Sequence, residues 1–319
     1  MNKKNFNLSI VTCAYNEEKN ISLFIYSVVK NLEYIHPKIS TELIIVDDGS
    51  TDETWNEIML VTKNISKQPK NKLQFTCIKL ISNFGQMQAL EAGLQKANGS
   101  FVLTMDCDLQ TPPSYIPTFW QARDSNAIIA GKQMYRNEKK IKAFLSKTFY
   151  NILQKTSKHN ISSNTGDFRL YPKHYVNELL KIKNNFKVFR FLAPKLGIPV
   201  EILYFESQKR INGKSSYNLK KMITLAKNSF FNLSLAPAKV ILFYLALFII
   251  YFIGICIYAI HSYLTQELVP GWTSISLSIS FGFIGVLTIL YVIIEYLVKN
   301  IENTQNFPAY IIQKITTIK

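Results

Sequence analysis

GSFVLTMDCDLQTPP, residues 99–113, decides how the chain folds and where its chemistry lies. Ser100 to Met105 is an uncharged run of strand length, and it stops at Asp106-Cys107-Asp108. Pro112 and Pro113 close the segment, since proline cannot donate to a sheet ladder. Alternating carboxylates straight after a buried run suit a divalent cation whose remaining ligands are diphosphate oxygens and water. A lone D-x-D is more often a solvated acidic turn. Here a second one stands beside it: Glu42 to Val46 (ELIIV) runs into Asp47-Asp48-Gly49-Ser50. Lys and Arg outnumber Asp and Glu by 37 to 21, for a net charge of +16. In so basic a chain, two acidic strand ends are not explained by solubility.

Outward from these two ends, strand and helix alternate. Leu8 to Cys13 reads as a buried strand followed by the polar turn AYNEE. Ile21 to Leu32 repeats apolar residues at helical spacing (Ile21, Phe24, Ile25, Val28, Val29, Leu32). Thr54 to Lys63 suits a helix after the acidic turn, Leu73 to Leu80 a strand, and Gln86 to Ala97 a helix with Gly93 inside it. Gly49 allows a tight turn, and Gly85 a close approach of backbone to ligand. The polar residues collect after strand ends, as in a doubly wound α/β sheet that binds ligands at its carboxyl edge. From Ile128 to Tyr204 the pattern loosens. A strand is expected at Ile128–Gly131, a basic helix over Lys139–Gln154, and a further helix near Lys173–Leu180.

Several classes drop out. No G-x-x-x-x-G-K-[ST] occurs and no G-x-G-x-x-G follows the first strand, against a P-loop NTPase or a classical dinucleotide fold. No G-x-S-x-G elbow is present. The four cysteines (Cys13, Cys77, Cys107, Cys256) are scattered, without zinc or disulfide spacing. The positive charge favours an anionic membrane surface over nucleic acid, because the chain also carries two long apolar stretches. These run from Val240 to about Tyr263 and from Ile275 to about Val298, each longer than the roughly 20 residues a bilayer core requires. Residues 215–238 place Leu219, Met222, Ile223, Ala226 and Phe230 beside lysines, as an interfacial amphipathic helix does. Lysines flank the pair of spans but are missing from the connection near 263–274, so both ends are expected in the cytoplasm. The polar N-terminus has no signal peptide pattern. The expected organisation is a catalytic domain over 1–214, the juxtamembrane helix over 215–238, two spans over 239–299, and a cytoplasmic tail over 300–319.

Six segments in order carry a family resemblance: VTCAYNEE (11–18), IIVDDGSTDE (44–53), NFGQMQALEAG (83–93), GSFVLTMDCDLQTPP (99–113), NTGDFRLYPK (164–173) and RINGKSSY (210–217). Together they resemble the family 2 glycosyltransferases with the GT-A fold. Within that family they are most similar to the polyprenyl-phosphate sugar transferases of the GtrB and dolichol-phosphate mannose synthase type. The resemblance implies that Tyr15, Glu17 and Asp48 hold the base and ribose of a nucleotide sugar, with a UDP-sugar favoured. It implies that Asp106 faces the nucleotide sugar, and that Asp108 with Gln110 binds Mg²⁺ or Mn²⁺ on the diphosphate. Lys132, Arg136, Arg169 and Arg210 match basic positions that clamp phosphates, and Asp167, in a GDF turn, orients sugar or acceptor. The chain departs from the pattern at Cys13, where proline is usual, at Ser100, and at Lys132, commonly arginine. In GKSSY, Ser216 replaces a lysine, and Lys214 shifts the charge by two positions.

The implied reaction is the transfer of one sugar to polyprenyl (undecaprenyl) phosphate at the inner face of a bacterial cytoplasmic membrane, by an enzyme whose relatives suggest a tetramer. A phosphate monoester is already anionic at neutral pH, so it needs no general base. A glycolipid hydroxyl as acceptor would require Asp167 as that base. A non-catalytic scaffold subunit would have no use for an intact Asp106, Asp108 and Gln110.

Overall fold

A computed structural model describes residues 6–35, 39–68, 73–134, 165–182, 187–207, 271–304 and 308–319, together with part of 246–264. Chain packing divides it into two units. The first contains Met1–Tyr150, Lys158–Asn218 and Phe307–Lys319, and the second contains the rest.

The first unit is built on one mixed sheet of eight strands, in the order β7-β5-β6-β4-β1-β2-β3-β8. Strands β1 (Phe6–Ala14), β2 (Thr41–Asp47), β3 (Gln74–Leu80) and β4 (Gly99–Thr104) are mutually parallel. All seven residues of β2 are buried, as expected of a strand covered on both faces. Helix α1 (Ile21–Leu32) buries Ile21, Phe24, Ile25, Val28 and Leu32, the stripe expected from its spacing. Helices α2 (Thr54–Ser66) and α3 (Gln86–Lys96) complete the alternation. After α4 (Ile116–Gln121) come β5 (Ile128–Gln133) and β6 (Thr165–Pro172). Because β6 runs antiparallel to both β4 and β5, β5 again points the same way as β4. Helices α5 (Lys173–Lys181) and α6 (Phe189–Lys195) lead to β7 (Val200–Phe205), parallel to β5. Six strands thus end on one edge, which also carries both acidic turns.

Two expectations from sequence are corrected here. Asp167 does not lie in a turn but inside β6, directly beside β4. The expected tail over 300–319 is in part a strand: β8 (Ile312–Ile318) pairs antiparallel with β3 at the edge of the sheet. Its sequence IQKITTI spaces the isoleucines every third residue and leaves most of the strand exposed, so no period-two pattern marked it as a strand.

In the second unit, α7 (Trp272–Thr304) contains Phe281–Val298, with a mean hydropathy of 2.2. Among the described residues it is the helix long and apolar enough to cross a membrane. Ile279, Phe283, Leu287 and Ile294 are all more than half exposed along it. The basic helix expected over 139–154, the amphipathic helix over 215–238 and half of the first expected span lie outside the described residues.

The turn after β2 is held by two devices. Gly49 has φ +66°, and a Cβ placed there would lie 2.3 Å from the Ser82 carbonyl carbon. Asp48, 3% exposed, accepts the Phe84 N–H at 2.9 Å through Oδ1 and the Gly85 N–H at 3.0 Å through Oδ2. Gly85 itself has φ +105°, so it is needed for this backbone conformation. Gly49→Ala should therefore destabilise the full-length protein by about 3 kcal/mol or more, read as a lowered thermal midpoint in detergent. An unchanged midpoint would mean that the turn is not packed as described. Burial pushes the Asp48 carboxyl up to about 6 against the two N–H groups that lower it. The folded protein then binds the proton more tightly than the unfolded chain, whose carboxyl titrates near 4. Stability from this group is therefore lost as pH rises from about 4 to about 6, by on the order of 3 kcal/mol. In metal-free buffer Asp48→Asn should lack that component of the pH slope. An identical slope in the two proteins would contradict the assignment.

Candidate active site

The site forms where β2, β4 and β6 bring carboxylates around the end of β1. The Cys13 thiol, near the end of β1, is pushed well above its ordinary value by burial and then by Asp48, Asp106 and Asp167. Three acids from three strands therefore lie within electrostatic range of the Cys13 thiol, which stays protonated. A small pocket is lined by Cys13, Gln86, Leu90, Thr104, Asp106 and Asp167. The acid-bearing loop after β4 is tied down by the Cys107 thiol, which donates to the Cys13 carbonyl at 3.1 Å. Leu109 turns inward to 6% exposure with φ +61°, an unfavourable backbone state for a branched side chain. That inward turn leaves Asp108 half-buried and Gln110 exposed on either side of it. Strain of this kind persists only where surrounding contacts impose it, here the burial of Leu109.

Asp106 accepts the Gln86 side-chain amide at 2.8 Å. Asp108 Oδ1 accepts the Gln110 backbone N–H at 3.1 Å, which fixes the loop's curvature. Gln86 stands in the first turn of α3, and α3 is anchored from behind by a buried ion pair. Lys187 Nζ lies 2.5 Å from Glu91 Oε1, with both side chains under a tenth exposed. Neither Gln86 nor Lys187 was singled out from sequence. Gln86 lay inside the quoted NFGQMQ segment, whereas nothing local marks Lys187 as a partner of Glu91, 96 residues away.

The turn after β1 supplies the next residues. Tyr15 is exposed, at 40%. The Glu17 carboxylate accepts the Asn20 amide at 2.6 Å, and its backbone N–H reaches Thr54 Oγ1 at 2.8 Å. Asn16, at φ +54°, accepts the Thr51 N–H, joining the first and second motifs. Tyr15, Glu17 and the Asp48 turn thus gather on one edge. Asp48, expected to hold base or ribose, accepts one backbone N–H on each oxygen and so ties the 83–85 segment to that edge.

The expected phosphate clamp divides. Lys132, near the end of β5, is half-buried, with its ammonium 5.8 Å from the Tyr204 ring centroid across the β5–β7 pair. Arg169 is a correction: it is 2% exposed and its guanidinium donates to the Gly166 carbonyl at 3.1 Å and to Thr165 Oγ1 at 2.8 Å. These two bonds secure its own strand, while its buried Nη1 has no hydrogen-bond partner among the described residues. Arg136, Arg210 and Lys214 lie outside the described residues. Arg190 on α6, not anticipated from sequence, lies 3.8 Å from the Asp167 carboxylate.

Among the described residues no three His, Cys, Asp or Glu side chains gather as a ready metal cage. The donor set fits a cation that the protein holds only in part. Asp108 and the Gln110 amide offer hard oxygens suited to Mg²⁺ or Mn²⁺. A diphosphate approaching Asp106, Asp108 and Asp167 would be repelled unless a counter-cation entered with it.

Comparison with known proteins agrees with this geometry. The profile of Glycosyl transferase family 2 matches residues 9–180. An uncharacterized glycosyltransferase of Synechocystis sp. is 30% identical over 97% of this chain and 95% of its own length. The prophage-derived bactoprenol glucosyl transferase of Shigella flexneri is 29% identical over 96% of this chain and 97% of its own. Among solved structures, glucosyl-3-phosphoglycerate synthase of Mycobacterium tuberculosis aligns at 17% identity and TM-score 0.44, covering 72% of this chain and 78% of that one. With the match spanning more than half its length and the acidic strand ends in place, the chain belongs to glycosyl transferase family 2 and is a glycosyltransferase.

Proposed function

We propose that this enzyme transfers one sugar from a UDP-sugar to polyprenyl phosphate at the cytoplasmic face of the membrane, with inversion at the anomeric carbon. The observation that carries the proposal is similarity beyond the catalytic core. The bactoprenol glucosyl transferases of Shigella flexneri and of Shigella phage SfX match 96% of this chain, including the apolar stretches that follow the family domain. A shared tail is what a shared lipid acceptor requires. Oligomeric assembly, a tetramer by resemblance, is part of the same proposal.

In this reading Asp108 and Gln110 hold the cation and Asp106 faces the donor, with Tyr15 and Glu17 at its nucleoside end. A bound Mg²⁺ or Mn²⁺ would supply charge neutralisation of the leaving diphosphate. Asp167 orients the sugar within the pocket it shares with Asp106. Lys132, with Arg136, Arg210 and Lys214, receives the acceptor phosphate. That phosphate attacks as an anion, so no side chain has to remove a proton from it. Attack from the face opposite the leaving diphosphate converts an α-linked donor into a β-linked product.

The chain path supports an even number of membrane crossings. Strand β8 follows α7 and pairs with β3, so both lie on the same side of any bilayer. If α7 crosses, the chain must cross once more before it, in agreement with the apolar stretch from Val240 to about Tyr263. An open sheet cannot lie within the hydrocarbon, where its edge groups would lack hydrogen-bond partners.

Two experiments follow. Detergent-solubilised enzyme, incubated with undecaprenyl phosphate and a panel of UDP- and GDP-sugars, should give one polyprenyl-phosphate sugar by mass and release UDP. Asp108→Asn should lower that rate by about two orders of magnitude or more. A wild-type rate in the variant would sink the cation assignment, and product from GDP-sugars alone would sink the donor assignment. For topology, Thr265→Cys should react with a membrane-impermeant maleimide in intact cells, and Lys319→Cys only after lysis. The reverse pattern, or labelling of both from outside, would exclude a cytoplasmic catalytic unit.

A further inference from the structure

Among the described residues, one carboxylate oxygen of Asp167 has no partner. The residue is 8% exposed, and its buried Oδ1 has no hydrogen-bond partner among the described residues. A buried acceptor left in this state costs stability, and it is a place where a ligand's O–H can bind. The backbone carbonyl of Asp167 is separately held by the Thr104 hydroxyl, so strand β6 is fixed to β4 at this residue. The side chain lines the same pocket as Asp106 and Cys13.

The other oxygen has a neighbour. Asp167 Oδ2 lies 3.8 Å from Arg190 Nη1, with side-chain exposures of 10% and 16%. At that separation the contact is an ion pair rather than a hydrogen bond, and it acts through charge and orientation. Arg190 is itself held in place. Its guanidinium carbon lies 4.9 Å from the Phe191 ring centroid, and α6 is anchored by buried Phe189, Phe191, Leu192 and Ala193. The second arginine of the neighbourhood, Arg169, is committed to Gly166 and Thr165 within β6. Among the described residues, Arg190 is therefore a cation that a different element brings to the Asp167 carboxylate. Aspartate and arginine come from β6 and α6, so their approach is a property of the fold.

We propose that Arg190 is a positioning residue: it orients the Asp167 carboxylate so that Oδ1 receives a hydroxyl group of the donor sugar. The inference rests on the transferase reading above. It assigns Arg190 a role through Asp167, distinct from a diphosphate clamp. A clamp would bind the nucleotide's phosphates directly, whereas a positioning residue affects turnover more than nucleotide affinity.

The test uses the full-length enzyme in detergent, with UDP-glucose as donor, undecaprenyl phosphate as acceptor and UDP release as readout. Arg190→Met should lower kcat about ten- to a hundredfold. The KM for UDP-glucose and the Kd for UDP should stay within about threefold, which also reports that the variant is folded. Arg190→Lys should restore part of the rate, and it serves as the test if the Met variant does not fold. The double variant Asp167→Asn with Arg190→Met should be no slower than Asp167→Asn alone, since both changes remove one interaction. Additive losses, an unchanged kcat, or a loss expressed mainly in UDP affinity would each overturn the proposal. If the wild type transfers nothing to undecaprenyl phosphate, the acceptor reading fails. The same variants are then compared on UDP release with water as acceptor, where the same pattern is expected and its absence again overturns the role of Arg190.

Discussion

Repulsion between carboxylates that a parallel sheet forces onto one edge is the constraint around which this site is built. Strands β1 to β4 run side by side in the same direction, so the acids that follow β2 and β4 cannot separate. Asp167 joins them from β6, and all three raise the proton affinity of Cys13. The protein relieves part of the repulsion internally. Backbone N–H groups of Phe84 and Gly85 take Asp48, the Gln86 amide takes Asp106, and Arg190 faces Asp167. What remains is an anionic edge in a chain of charge +16, open to a cation that arrives with a diphosphate.

The amino-terminal half of the fold was legible because each element there carries its own local signal. Helix α1 was read from the sequence with the bounds it has in the structure, and the four parallel strands within two residues. The apolar stripe and the abrupt acidic ends are properties of contiguous residues. Among the later elements, β5 and α5 were legible for the same reason, expected at Ile128–Gly131 and near Lys173–Leu180, whereas β6 and β8 were not. β6 looked like a turn because Gly166 and Asp167 are poor strand formers, yet β4 and β5 on either side supply the partners that make it one. β8 pairs with a strand more than two hundred residues away, and no local pattern encodes such a partner.

The same distinction separates the site residues. Asp106, Asp108 and Gln110 stand out in the sequence because a short loop holds all three, and Tyr15 and Glu17 because their turn follows a strand end. Arginines gave less information, since charge alone does not say whether a guanidinium faces a ligand or its own backbone. Arg169 faces Gly166 and Thr165 and stabilises β6. Among the described arginines, Arg190, in a helix with no sequence signal of its own, lies within ion-pair distance of an acid of the pocket. Lys187 likewise gains meaning only from Glu91, which orients the helix that carries Gln86.

The account depends most on the claim that the strand-end acids hold a cation only together with the donor's diphosphate. Electron paramagnetic resonance of Mn²⁺ titrated into the full-length enzyme, with and without UDP, measures this directly. One bound Mn²⁺ per chain, appearing only when UDP is present, is the predicted result. Tight Mn²⁺ binding without nucleotide, or none with saturating UDP, would contradict it.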